Sequence, residues 1–148
     1  MGKATIAPDN LTIKIELRDT KAVMPSRANQ FDAGLDLTAI SQRFDAEGYI
    51  EYDTGVAIEI PKNYVGLVYP RSSISKYGVA LCNSVGVIDH GYVGTIKFRF
   101  YIKNDDYPKI YNVGDRIGQI IIQKIPMITL EQVAFIDGDR SGFGSTGV

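Results

Sequence analysis

The stretch Ile96–Lys103 alternates without a break: Ile96, Phe98, Phe100 and Ile102 interleave with Lys97, Arg99, Tyr101 and Lys103. A period of two puts successive side chains on opposite faces of an extended chain, so this segment is a strand with one face in a core and one in water. Asn104-Asp105-Asp106 ends it. Leu11, Ile13, Ile15 and Leu17 alternate in the same way with Thr12, Lys14 and Glu16. Val56–Ile60 reads as a further short strand, Pro61-Lys62-Asn63 as a turn, and Tyr64–Tyr69 as extended chain up to Pro70. Gly114-Asp115 reads as a turn between Ile110–Val113 and the run Ile117–Ile125. That run carries isoleucine on both faces, which predicts burial on both sides. Ser72–Tyr77 alone reads as helical, and it stops at Gly78.

Many short strands at close spacing predict an all-β, jelly-roll-like single domain, a distorted barrel or sandwich with one short helix. The 148 residues suit one domain, and no linker or repeat divides them. Gly138, Gly142, Gly144 and Gly147 punctuate a tail with little apolar surface. The expectation is a β core over about 1–136 and a flexible C-terminal arm over 137–148.

Composition excludes several functions. Sixteen Lys+Arg against 17 Asp+Glu leave a net charge of −1, so no electrostatic footprint for nucleic acid is expected. No apolar run approaches the ~18 residues of a membrane span, and no secretory signal opens the chain. A cytoplasmic location is expected, in the host cytoplasm if the chain is phage-encoded. One cysteine, Cys82, cannot form an internal disulfide, and with the single His90 it cannot make an ordinary zinc site. A Cys82–His90 pair lacks a positioned third group, and neither Ser72 nor Ser73 sits in a nucleophile elbow. Cys82 then reads as a small buried hydrophobe and His90 as a loop residue.

Five polar, glycine-bearing segments interrupt the β pattern: AGLDLTA (33–39), PRSSISKYGV (70–79), NSVGVIDHGYVG (83–94), GDRIGQ (114–119) and DRSGFGSTG (139–147). Each alone is ordinary turn or tail chemistry. Together they supply the parts of a phosphate-ester site. Arg71 and Arg140 stand beside serines, and arginine suits bidentate phosphate contacts. Phe143 between two glycines can lay its face on a base. Asp36 and Asp89 are carboxylates available to Mg²⁺ or to a water. No G-x-x-x-x-G-K-[ST] is present, so this is not a P-loop protein.

In this order and near this spacing, the five segments resemble the five motifs of the all-β, trimeric dUTPases. The resemblance runs from about Ala33 to Gly147. It implies a jelly-roll subunit in a homotrimer with shared active sites, and hydrolysis of dUTP to dUMP and diphosphate with Mg²⁺. That reaction keeps uracil out of DNA and supplies dUMP for thymidylate synthesis. Residue by residue, the resemblance implies Asp89 as the water-activating base. Asn83, with the strand residues Val87 and Ile88, would read uracil, and Tyr92 would pack on deoxyribose and leave no room for a 2′-hydroxyl. Arg71, Ser72, Ser73 and Gln119 would contact phosphates, and Asp36 would meet the metal through water. Arg140, Gly144, Ser145 and Thr146 would grip the outer phosphates from the arm, with Phe143 as a lid on the base. Two departures stand out. Ser73 replaces the glycine usual after Arg-Ser, and only Ser141 and Gly142 separate Arg140 from Phe143.

The Arg-Ser-Ser string and the Ile-Asp-x-Gly-aromatic run also resemble the related dCTP deaminases. Those carry a catalytic Glu ten residues beyond the Asp, where this chain has Arg99. Deamination, alone or bifunctional, therefore ranks below hydrolysis. A non-catalytic nucleotide-sensing or protein-binding module is a rival of another class, and nothing in the sequence requires it.

Overall fold

The computed structural model describes residues 10–103, 106 and 108–144. Among them the order is β1 (Lys14–Leu17), β2 (Leu35–Thr38), β3 (Ser41–Phe44), β4 (Tyr49–Glu59), β5 (Tyr64–Tyr69), a 3₁₀ helix (Ser72–Lys76), β6 (Val79–Leu81), β7 (Gly86–Ile88), β8 (Thr95–Ile102) and β9 (Arg116–Lys124). One antiparallel sheet runs β1-β4-β8-β6, with β3 also on β4; the other runs β2-β9-β5-β7. The fold is all-β, and no α-helix occurs among the described residues.

The strongest alternation gives the most regular strand. In β8, Ile96, Phe98 and Phe100 are buried, while Lys97, Arg99 and Tyr101 face out. The core lies between the sheets and joins these side chains to Leu37, Ile50, Val56, Ile58, Val68, Ile117 and Ile120. Closest approach comes at Gly118 of β9, where an added Cβ would stand 2.1 Å from Cε1 of Phe98. Only a residue without a side chain lets β9 pass over that ring.

β4 is long because it serves two partners. Its first half pairs with β3, its second with β1, and the β8 register shifts between Asp53 and Ala57. Gly55 takes φ 66° at this irregularity, with its N–H donating to Asp53 Oδ1. Thr54, fully buried, donates its hydroxyl to the Ile96 carbonyl at 2.8 Å and accepts from the Val56 N–H at 3.3 Å.

The short helical segment read over Ser72–Tyr77 is a single 3₁₀ helix over Ser72–Lys76, closed by i→i+3 bonds from Ile74 N–H to Arg71 O and Tyr77 N–H to Ile74 O. Other expectations change. Ile110–Val113 is not a strand. Tyr111 instead drops a fully buried ring against Tyr52, Phe100 and Tyr77, stacking on the last at 4.1 Å. β9 is buried on both faces only in part: Ile117 and Ile120 are enclosed, Ile121 and Ile122 half-buried, and Ile125 lies beyond the strand and is exposed. Three of the polar segments lie partly within the sheets. Asp36 lies in β2, Gly86–Ile88 form β7, and Arg116–Gln119 open β9. From Ile125 onward the described chain carries no strand, and Met127, Ile128, Leu130, Phe135 and Ile136 are exposed.

Candidate active site

Strand register brings three distant segments together. Asp36 of β2 pairs with Gln119 of β9, and Gln119 pairs on its other side with Tyr69, the last residue of β5. Their neighbours Leu37, Ile120 and Val68 point into the core, so Asp36, Gln119 and Tyr69 project from the outer face of the sheet. Pro70 then turns the chain out of β5 and delivers Arg71 to the same place. Arg71 Nε lies 3.5 Å from Asp36 Oδ1, and Arg116 Nη1 lies 3.4 Å from Asp36 Oδ2. Arg71 Nη1 also donates to the Arg116 carbonyl at 3.4 Å, and Gln119 Nε2 donates to the Pro70 carbonyl at 3.0 Å.

The cluster holds two guanidinium groups and one carboxylate. Asp36 is largely buried between the arginines, which keep fork donors for another anion. Gly34 makes room for this arrangement: a Cβ there would stand 2.1 Å from Gln119 Oε1. Ser72 is exposed at the start of the 3₁₀ segment. The Ser73 hydroxyl is buried and has no hydrogen-bond partner, so the serine that departs from the usual glycine carries an unspent donor beside Arg71.

A second group forms at the opposite edge of the sandwich. β6 belongs to one sheet and β7 to the other, so the turn Cys82–Val85 spans the gap between them. Asn83 is exposed there, Ser84 takes φ 59°, and the Asn83 amide lies over Gly86, 3.5 Å from where a Cβ would be. Val87 is exposed and Ile88 packs against the core. Cys82 is half-buried, and burial pushes its thiol up from the ordinary range, so it is a poor nucleophile. Asp89 follows β7 and is exposed; its carbonyl accepts from the Tyr92 N–H at 3.2 Å. His90 Nδ1 lies 2.6 Å from the Ile60 carbonyl and ties this loop to the end of β4.

Within one chain Asp89 and Arg71 lie toward opposite ends of β5. Ile88 pairs with Gly66 near its start, whereas Gly86 pairs with Val68 near its end, so the Cys82–Val85 turn stands on the Arg71 side. From Gly66 to Tyr69 the strand spans ~10 Å at ~3.3 Å per residue, before Pro70 turns the chain toward Arg71. A hollow of about 260 Å³ takes in His90 and Tyr92, and one of about 530 Å³ opens beside Leu35; Asp36, Arg71, Gln119 and Asp89 line neither. In the tail, Arg140 pairs with Asp139 at 3.6 Å, Phe143 is fully exposed with φ 52°, and Gly144 takes φ 92°. Ser145 and Thr146 lie outside the described residues.

No group of three or more His, Cys, Asp or Glu side chains could hold a metal among the described residues. Asp36 offers one carboxylate, already shared by two arginines. That donor set suits Mg²⁺ brought on phosphate oxygens with its own water, not an all-protein cage.

The family model of the dUTPases matches residues 20–147. The chain belongs to the dUTPase family. This dUTPase-family chain is 39% identical over 145 residues to the deoxyuridine 5′-triphosphate nucleotidohydrolase of Corynebacterium glutamicum, covering 94% of this chain and 97% of that one. It is 36% identical over 137 residues to the enzyme of the same name from Mycobacterium tuberculosis, covering 91% and 88%. Among solved structures it resembles the dUTPase of Staphylococcus bacteriophage 80alpha with dUpNHpp (TM-score 0.75, 26% identity, 94% of this chain and 100% of that one). It also resembles a mutant dUTPase from phage phi11 of S. aureus studied for the coordination of a structural Mg(II) ion (TM-score 0.71, 26% identity, 86% and 100%).

Sequence reasoning quoted GDRIGQ without singling out Arg116, which shares Asp36 with Arg71. The signal was an arginine three residues before Gln119, hence on the opposite face by simple alternation. The register shift between Leu37 and Thr38, opposite that point, breaks the alternation and brings Arg116 round.

Proposed function

We propose that the chain hydrolyses dUTP by in-line attack of a water on the α-phosphorus, with Asp89 as general base, in sites shared between copies of a homotrimer. As a member of the dUTPase family the chain is a dUTP diphosphatase. The water oxygen bonds to the α-phosphorus, the bond from that phosphorus to the bridging oxygen breaks, and diphosphate leaves. The Asp89 carboxylate takes the proton from the water. The triphosphate rests on Arg71, Ser72, the Ser73 backbone and Gln119. Asp36 would hold Mg²⁺ carried on the nucleotide, through water, and the ion would supply positive charge against that developing on the leaving diphosphate. Asn83, Val87 and Ile88 read uracil through polar edges that cytosine would leave unpaired, while Tyr92 lies against deoxyribose. Arg140, Phe143, Gly144, Ser145 and Thr146 close from the tail.

The observation that carries this reading is the register that gathers Asp36, Arg71 and Gln119 on one sheet face. Their separation from Asp89 along β5 supports sites completed by a second copy, since one chain sets the phosphate contacts and the general base toward opposite ends of that strand. Arg99 supports hydrolysis over deamination. It faces out, bonded to Glu51 at 2.7 Å and lying over the Tyr49 ring, where it has no proton to shuttle toward a base.

The test is incubation with dUTP or dCTP and Mg²⁺, measuring diphosphate and ammonia. Diphosphate from dUTP and no ammonia from dCTP is expected. Asp89→Asn should lower kcat by about 10²–10⁴-fold with dUTP binding nearly kept. Near-normal turnover in that variant removes Asp89 from its role.

A further inference from the structure

Tyr92 is not a core residue; its side chain is 43% exposed in the loop between β7 and β8. Its anchors are local. The backbone N–H donates to the Asp89 carbonyl, across a turn in which Gly91 takes φ 92°. The phenol hydroxyl donates to the carbonyl of Thr95, the first residue of β8, at 2.9 Å. Thr95 pairs with Ala57 of β4, so that carbonyl belongs to a strand hydrogen-bonded inside its sheet.

Gly94 lies under the ring that makes this bond. A Cβ at Gly94 would stand 2.5 Å from the Tyr92 hydroxyl oxygen, 2.8 Å from Cζ and 3.3 Å from Cε2. Gly94 is not among the glycines with positive φ, so its backbone would accept an ordinary L residue. The demand for glycine comes from the ring alone. Because the clash is with the far end of a side chain, a substitution leaves the strands in place and displaces the phenol.

We infer that Gly94 is a specificity-determining residue that acts through Tyr92. The bare backbone at 94 lets the phenol lie across it and bond Thr95, and that tether turns an exposed, mobile side chain into a fixed wall. A fixed wall excludes a ribonucleotide's 2′-hydroxyl; a free ring would swing aside and admit it. The inference rests on the reading of Tyr92 as the residue against the sugar.

The experiment compares kcat/KM for dUTP and UTP in the parent, Gly94→Ala, Tyr92→Phe and Tyr92→Ala, with melting temperatures of all four. Tyr92→Ala should remove most of the preference for dUTP. Gly94→Ala should lower that preference by about tenfold or more, largely by admitting UTP, with a melting temperature within about 2 °C of the parent. Tyr92→Phe, which keeps the ring and loses the tether, should fall between the parent and Tyr92→Ala. An unchanged preference in Gly94→Ala beside a collapsed one in Tyr92→Ala overturns the role of Gly94 and leaves that of Tyr92. An unchanged preference in Tyr92→Ala removes the reading of Tyr92, and the inference with it. Parent-like preference in Tyr92→Phe, or a large drop in melting temperature in Gly94→Ala with both substrates affected equally, also overturns the proposal.

Discussion

Replacing Thr54 by valine should cost this fold far more than one surface-sized change. Thr54 is fully buried, and its hydroxyl serves two backbone groups. The β4–β8 ladder is out of register between Asp53 and Ala57, so the threonine oxygen stands where a cross-strand bond would be. Valine fills nearly the same volume and leaves the Ile96 carbonyl without its 2.8 Å donor and the Val56 N–H without its 3.3 Å acceptor. A buried group left unpaired costs about 1–3 kcal/mol; the longer bond sits at the low end of that range. The added methyl returns about 0.8 kcal/mol, so the net loss is about 2–3 kcal/mol. For a chain of this length that lowers the melting temperature by roughly 6–12 °C. The assay is thermal unfolding by circular dichroism at one fixed protein concentration, since the proposed trimer would make the midpoint concentration-dependent. Thr54→Ser keeps the hydroxyl and should lose about 1 kcal/mol or less. A serine variant as damaged as the valine variant, or a valine variant within about 3 °C of the parent, would refute the role given to the hydroxyl.

Gly34→Ala should lower stability slightly and harm turnover. The new methyl turns Gln119 away from the Pro70 carbonyl, a loss of about 0.5–1.5 kcal/mol in folding free energy, and kcat/KM should fall with the displaced amide. Adding Gln119→Ala to that variant should cost little more, whereas full additivity in the kinetics would separate the two positions. High pH should loosen the core. Burial pushes the fully enclosed Tyr52 phenol up to about 12 and raises that of Tyr111. The folded state therefore holds the Tyr52 proton more tightly than the unfolded chain, whose pKa is ~10. That stabilisation is complete below pH ~10 and disappears as pH rises through ~12, a loss of about 2–3 kcal/mol. Urea midpoints measured across that interval should fall, and Tyr52→Phe should flatten the fall; a flat profile in the parent would contradict it.

Alternation made β8 legible, and the Pro61-Lys62-Asn63 turn and Pro70 made β5 legible, because a half-buried strand must alternate and proline or clustered Asn and Asp end it. Alternation failed at β2, β3 and β7, which are three or four residues long and carry little apolar signal; β3 is exposed along its whole length. It also failed at Ile110–Val113, where burial of Tyr111 follows from an aromatic cluster assembled from β4, β8 and the 3₁₀ segment.

The chain's own order of residues determined that it is β-built and which family its polar segments resemble. Each of those follows from neighbours a few positions apart. Only the tertiary structure decided that Asp36 grips Arg71 and Arg116, that Gln119 leans over Gly34, and that Asp89 leaves β7 beside the start of β5, at the end away from Arg71. These facts depend on the pairing register of β2, β9, β5 and β7. Register is fixed by which faces the whole core buries, and no local stretch of sequence contains that information.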